Sequence, residues 1–560
     1  MEQPIKSRGF KSQKRSDDND ASVTVTDADD LILAKLGYKN EFRREFGNFA
    51  TISFAFSIMG VSSSLISTYD TPYFAGGPAA TVWCWFIGSC MCMTLGLSIA
   101  ELCSAYPTSG GLYSASAFLV PQKYKAPVGW TIGWLNLLGQ IAGVASTEFG
   151  LSRQLWAAYA LSRPAEENFA ASSAQLVYVY VALLVFHGLI NCLATKYLAR
   201  VTTTFVIVNM AAALAMVIAL AVTVKDKNSA SYIFTTVNNQ SGYSSDGLAF
   251  LFGLLSVQWT MTDYDATVHI SEEVRKASVA APAAIIVAVA GTGVVGFILN
   301  AVLGMGAGDG STLPGLSQLS AATIIYENVG FAGFLVIWVM VMYTTSAVVI
   351  TAMQANARTA YALSRDQLLP DRGLFGRMAP NRVPMYAVGL IVIVSVALGM
   401  LQFASGTALN AIFSLCAIAL DSSYAVPVLC KVLFHDHPEV QFKPGPFSLG
   451  TGLLGKTINL TAVTWVSFVC IILSFPVSQP LTATNMNYAS VMLIGVLLLS
   501  TMWYFAGGRK QYRGPRNFTG GSAHAVLTSA GERKLSDLPT VASHSSETDY
   551  LADKADRDSM

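Results

Sequence analysis

From Leu248 to Leu255 the chain is almost wholly apolar, and it then reads SVQWTMTDYDATVHISEEV, Ser256 to Val274. A run bound for lipid does not ordinarily carry two aspartates part-way across. An ionisable side chain inside a membrane span is costly, so it is read first as functional. Asp263 sits among Trp259, Thr262 and Tyr264. Ring faces and a negative charge together attract an organic cation, so Asp263 is expected to take a substrate ammonium or quaternary nitrogen; a second capping carboxylate is the competing reading. Asp265 precedes a half-helix expected to start near Ala266, where Asp serves well as an N-cap. His269 and Glu272 follow one and about two turns later. With Glu273 they are expected to form a structural or gating network.

Two further acids interrupt apolar runs: Glu148, and Asp421 in CAIALDSSYAVP. Burial raises a carboxyl pKa toward neutrality, so either is a candidate proton carrier. A buried hydrogen-bonded structural acid is the competing reading for each. Gln140, about two turns before Glu148, joins the expected substrate set.

These residues must be positioned by membrane helices. Twelve runs are long enough to cross about 30 Å of hydrocarbon, which takes about 20 helical residues. They lie near 48–68, 78–103, 127–157, 174–196, 201–224, 247–270, 279–305, 330–358, 383–402, 407–430, 457–476 and 486–506. The first and sixth are interrupted. The first reads FSIMGVSSSL, Phe56 to Leu65. Gly60 permits backbone exposure, so Gly60, Val61 and Ser62 are expected to line a binding cavity; close packing through small residues is the alternative. Interrupted helices at equivalent places in two halves mark a transporter built on an inverted repeat. The expected fold is all-α integral membrane, with twelve helices in a five-plus-five inverted repeat. Residues 1–47 and 507–560 are expected to be disordered tails around a transport domain at 48–506.

Composition agrees with a polytopic membrane protein. The chain is 53% hydrophobic and 12% charged, against about 25% charged in soluble domains, and its mean hydropathy is +0.48. All but four of the 35 basic residues fall in the tails or in loops on one side; the four are Arg153, Arg163, Lys225 and Lys227. The positive-inside rule puts both termini in the cytoplasm. The eight cysteines lie within or at the ends of apolar runs, so no disulfide framework is expected.

Several stretches together resemble a known family. FSIMG, AELCSAYPTSGGLY (Ala100 to Tyr113), HGLIN (His187 to Asn191), DYDATVHISEEV and ARTAYALSRDQLLP (Ala357 to Pro370) are similar to the amino acid/choline transporter family of the amino acid–polyamine–organocation superfamily. The resemblance covers about residues 31–506. It implies secondary active uptake of a small nitrogenous solute, such as GABA, another amino acid, choline, a polyamine or thiamine, at the plasma membrane first, with the vacuolar membrane as the alternative. It implies that Glu101 belongs to a gate or loop anchor. Relatives usually carry a small residue where this chain has Asp263.

Coupling is read from the same resemblance, with a proton preferred to sodium or exchange. Some superfamily members place a lysine in the fifth helix; this helix offers Asn209 and threonines instead. Thr345 and Ser346 resemble a sodium-ligand pair, although helix-interior hydroxyls ordinarily bond to backbone. The expected partners are thus an amine or amino-acid substrate, a coupling ion and the lipid bilayer, without nucleic acid. A permease-like nutrient sensor is the main alternative. A channel would show repeated pore loops, and an enzyme would show a nucleophile elbow, phosphate loop or metal-ligand spacing. None is written here, and nothing calls for a cofactor.

Overall fold

Apolar runs in lipid satisfy their backbone internally only as helices or closed barrels. Among the described residues every regular element is helical, apart from a lone parallel bridge between Phe46 and Val274. The computed structural model describes residues 28–36, 38, 41–163, 169–310, 313, 319–404, 408–440, 442–483 and 485–514.

After α1 (Ala28–Lys35), helices α2 (Asn48–Met59) and α3 (Val61–Thr68) form one segment broken at Gly60. Next come α4 (Asp70–Ala105), the short α5 (Gly111–Ser116), α6 (Lys125–Leu161), α7 (Ser173–Asn191) and α8 (Thr195–Thr223). A short α9 (Ala230–Thr235) precedes the sixth expected segment, which is divided into α10 (Asp246–Leu251), α11 (Leu254–Thr260) and α12 (Ala266–His269). Then follow α13 (Ala277–Gly306), α14 (Ser320–Arg365), α15 (Met385–Gly399), α16 (Ala408–Leu433), α17 (Leu453–Ile472), α18 (Ala489–Trp503) and α19 (Arg509–Gln511).

Among the described residues ten segments are long and apolar enough to cross a membrane: α2 with α3, then α4, α7, α8, α13, α14, α15, α16, α17 and α18 with α19. The other two expected crossings differ for visible reasons. The sixth is cut into pieces shorter than a span. Helix α6 has ample length but buries Asn136, Gln140, Glu148 and Gln154 along one side. Two helices start earlier than expected, each running through a non-helical glycine, Gly77 in α4 and Gly330 in α14.

The broken segments lie inside the bundle. α3 packs on α11, and α2 on α12. α6 packs against α16 and α14, and α8 against α14 and α2. The span containing α2 and α3 is 78% buried in its most apolar window and α16 is 83% buried, whereas α18 with α19 is 11% buried. The first two are therefore central and the last is peripheral.

The expected tail boundaries are corrected in part. Residues from Ala28 onward form a strap across one end of the bundle. Leu33, Leu36 and Tyr38 are buried against Tyr106 and Ala115. The Phe46 amide donates to the Glu273 carbonyl at 3.0 Å, and the Arg275 amide donates to the Phe46 carbonyl at 3.0 Å. At the other terminus, Tyr512 is buried against the Trp130 ring. Apolar side chains at short spacing gave both stretches something to bury. The remaining expected tails, 1–27 and 515–560, lie outside the described residues.

Candidate functional site

The first break is made by backbone geometry. Gly60 has φ 46° and ψ 50°, a left-handed conformation that ends α2 and begins α3. Its amide donates to the Phe56 carbonyl, and its carbonyl accepts from the amides of Ser63 and Ser64 and from the Ser63 hydroxyl. A Cβ at Gly60 would lie 2.2 Å from Val348 Cγ2. Val61 and Ser62 are fully buried. Both the amide and the hydroxyl of Ser62 donate to Asn209 Oδ1, at 3.2 and 2.8 Å. Asn209 on α8 is thus tied directly to the break.

The second break spans Met261 to Asp265. The Met261 amide closes α11 on the Val257 carbonyl at 2.8 Å. Asp263 has φ 60°, a left-handed conformation that Asp tolerates better than most side chains. Its carbonyl accepts from the Ala266 amide at 3.0 Å, and its own amide donates to the Tyr424 hydroxyl at 3.1 Å. The side chain is 7% exposed, and its Oδ1 has no hydrogen-bond partner among the described residues. Nearby polar atoms are similarly unpaired: Oγ1 of Thr260 and Thr262, the Tyr264 hydroxyl and both amide atoms of Gln140. Trp259 donates its Nε1 proton to Ser146 Oγ at 3.0 Å and meets Phe413 edge-on.

Asp265 does not cap α12, which corrects the sequence-based expectation; no side-chain capping bond is present. Its carboxylate faces other helices instead. Oδ1 accepts from the Tyr424 hydroxyl at 2.6 Å. Oδ2 accepts from Asn136 Nδ2 at 2.8 Å and lies 3.1 Å from His269 Nε2. His269 Nδ1 lies 3.0 Å from the Ser109 carbonyl. A carbonyl only accepts, so Nδ1 carries a proton. Nε2 then meets Asp265 either as N–H against carboxylate or as lone pair against carboxylic acid. Either way one proton lies between the two residues.

The other expected acids are separated. Asp421 on α16 accepts from Gln258 Nε2 at 2.7 Å, which ties it to α11 just before the break. Glu148 is fully buried against α7, with both carboxylate oxygens 3.1 Å from His187 Nδ1. Thr345 donates to Gln154 Oε1 at 2.7 Å, and Gln154 Nε2 donates to Ser67 Oγ at 3.2 Å. That chain links α14, α6 and α3. Ser346 is half-buried beside it.

At the end of the bundle that carries the strap, acids meet bases. Glu101 pairs with Lys431 and also accepts from Ser448 Oγ and the Leu449 amide. Glu272 accepts from the amide and hydroxyl of Ser109 at 2.9 and 2.5 Å and lies 3.6 Å from Arg365. Glu273 accepts from Arg358 Nε at 2.7 Å. The strap joins this network. Tyr38 donates to Asp366 Oδ2 at 3.0 Å, and Tyr361 is bonded to Glu41. Burial, then the charge of Asp366, holds the Tyr38 phenol well above its usual pKa, so it serves as a donor.

Sequence reasoning missed Tyr424, Asn136, Gln154 and Gln258. A signal was present: Asn136, Gln140 and Gln154 recur on one face of α6, and Tyr424 lies three residues beyond Asp421, one turn on.

Long apolar helices, two of them interrupted deep in the bundle beside buried polar groups, are the build of a multi-pass membrane transporter. Residues 46–498 match the family described as Amino acid permease, and the chain belongs to that family. It is 42% identical over 517 residues to an uncharacterised amino-acid permease of Schizosaccharomyces pombe, covering 91% of this chain and 94% of that one. It is 35% identical to amino-acid permease 2 of Neurospora crassa, over 88% of this chain and 90% of that one. Amino-acid permease BAT1 of Arabidopsis thaliana is 30% identical, over 88% and 97% of the respective chains.

Proposed function

We propose that this protein is a proton-coupled secondary transporter that imports a small nitrogenous solute, an amino acid such as GABA before choline, a polyamine or thiamine. Its twelve helices form two inverted five-helix repeats, both termini lie in the cytoplasm, and the protein works at the plasma membrane. The packing of α3 on α11 and α2 on α12 supports the repeat, because it sets the two breaks side by side with opposite chain direction.

The observation that carries the substrate class is the buried, unpaired Oδ1 of Asp263. Asp263, Asp265 and Asp421 are three buried carboxyls, and among the described residues His269 is bonded to one of them, Asp265. Buried charges in a low-dielectric interior require compensation. A substrate ammonium at Asp263, flanked by Gln140, Thr262 and Tyr264, supplies one positive charge. A coupling proton on Asp421 supplies another, and Gln258 relays its occupancy to α11. The backbone at Gly60 and Val61 faces the substrate's other end, with Ser62 bonded to Asn209 and so setting its position. Glu148 is held by His187 away from both breaks and is the weaker coupling candidate. Thr345 donates to Gln154, and a sodium site with Ser346 is the less preferred coupling reading. Asp265, His269, Glu272 and Glu101 hold the closed inner end.

The test is uptake of labelled GABA into proteoliposomes holding the purified protein, with and without an inward proton gradient. Choline, thiamine, spermidine and neutral amino acids serve as competitors. Gradient-driven uptake that competes with primary amines supports the reading. Saturable binding without uptake would make the protein a permease-like sensor. Sodium-driven uptake would transfer the coupling role to Thr345 and Ser346.

A further inference from the structure

A cavity of about 280 Å³ opens where α4 and α16 end and α17 begins, on the side of the bundle that carries the strap. It is separate from both helix breaks. Its charged and polar lining includes Lys431, His435, Lys456 and Asn459 and the acids Glu101 and Asp436. Three features distinguish it from a surface dimple. Asn459 is 4% exposed, and its Oδ1 has no hydrogen-bond partner among the described residues. A buried carbonyl oxygen left unpaired is costly, so this position calls for a donor. The first turn of α17 begins at Gly452 without a side-chain cap, leaving first-turn amides that favour an anion. Lys456 in that turn has no ion-pair partner among the described residues.

The charges around the cavity can be ordered. Lys431 is paired with Glu101. The Asp436 side chain is 94% exposed, so its charge is spent on water and on His435 at 3.9 Å. Lys456 is exposed and has no acidic partner among the described residues, so it is the cation left to meet an anionic occupant. An occupant therefore needs an anionic group for Lys456 and the α17 amides, and a hydroxyl for Asn459. That is a phosphate ester of a polyol.

The source is indicated by the residues between the polar ones. Leu453 and Leu454 precede Lys456 and are 83% and 73% exposed, and Leu433 follows the lining residue Val432 at 65%. Apolar side chains this exposed beside a polar pocket fit acyl chains with the headgroup tucked in. Basic pockets between transmembrane helices bind anionic headgroups in this way.

We infer that this cavity binds the headgroup of an anionic phospholipid bearing free hydroxyls, phosphate toward Lys456 and hydroxyl toward Asn459. The inference rests on the reading that this end of the bundle lies at a membrane surface, but its test needs no transport. Purified full-length protein in detergent is titrated with short-chain phosphatidylinositol, phosphatidic acid and phosphatidylcholine, and with soluble glycerophosphoinositol, reading the thermal midpoint. Phosphatidylinositol should raise the midpoint saturably, phosphatidic acid more weakly, and phosphatidylcholine not at all. Lys456→Ala should weaken both anionic lipids about fivefold, as expected for one lysine near a phosphate. Asn459→Ala should weaken phosphatidylinositol about fivefold and leave phosphatidic acid unchanged. An equal shift by glycerophosphoinositol would overturn the lipid source in favour of a soluble phosphate ester. No shift by phosphatidylinositol, or shifts that both variants retain in full, would overturn the site.

Discussion

Gly60→Ala is the smallest change that tests whether the first break is built into the backbone. Two costs follow from the structure. The residue has φ 46°, where an L side chain pays about 1–2 kcal/mol. The new Cβ would lie 2.2 Å from Val348 Cγ2, far inside contact distance. Val348 is stiff at χ1 and 4% exposed, so it cannot swing away cheaply. Overpacking of this kind costs about 1–3 kcal/mol. The expected total is about 2–5 kcal/mol, borne by the fold or by a shifted break. Purified variants should show a lower thermal midpoint in detergent and a substrate affinity weakened at least tenfold, since about 1.4 kcal/mol is tenfold. Val348→Ala removes the obstructing methyls. The double variant should recover the contact term but keep the backbone term, giving a coupling of about 1–3 kcal/mol. Wild-type stability and affinity in Gly60→Ala, or no coupling with Val348→Ala, would refute the reasoning.

Asp263→Asn keeps size but removes charge; loss of a charge-assisted contact of about 1.5–3 kcal/mol should weaken cation binding roughly 10- to 100-fold in equilibrium binding, with the thermal midpoint little changed. Asp265→Asn should instead act on stability, because an amide nitrogen would face donors at Tyr424, Asn136 or His269; the midpoint should fall by the equivalent of about 1–3 kcal/mol. Asp421→Asn should abolish proton-driven uptake while preserving substrate exchange, and Glu148→Gln should leave the pH dependence of uptake intact, since Gln still bonds His187. Tags at residues 1 and 560 should react only after cells are permeabilised; labelling in intact cells would reverse the proposed orientation.

Both breaks were legible because they required unusual residues. A glycine followed by three serines, and a polar run within an apolar one, stand out without any coordinates. The role of Asp265 was not legible. Capping is a local rule, and here Tyr424, Asn136 and His269 reach the carboxylate from α16, α6 and one turn along the chain. A carboxylate given three partners elsewhere is unavailable to its own helix. The left-handed conformation of Asp263 was also hidden, because Asp is one of the few non-glycine residues that leaves it unannounced. The strap was misjudged for a different reason. Its average polarity is high, but Leu33 and Leu36 lie three apart and Phe42 and Phe46 four apart, and all four are buried. Averages over the tail masked a pattern that spacing would have revealed.

The strap has a consequence for biogenesis. Its partners are made long after it: Tyr38 bonds a residue 328 positions later, and Glu41 one 320 positions later. At about 5–20 residues per second, roughly 15–65 s of synthesis separate the strap from those partners. Through that interval Phe42 lacks its Tyr361 partner, while Leu33 awaits Tyr106 and Phe46 awaits Glu273 and Arg275 for shorter times. They are then open to proteases that cut at Arg43 or Arg44. Full docking, with the bonds of Tyr38 and Glu41, becomes possible only once α14 has been completed. Tryptic resistance at Arg43 and Arg44, followed in pulse-labelled chains, would therefore act as a clock for completed assembly.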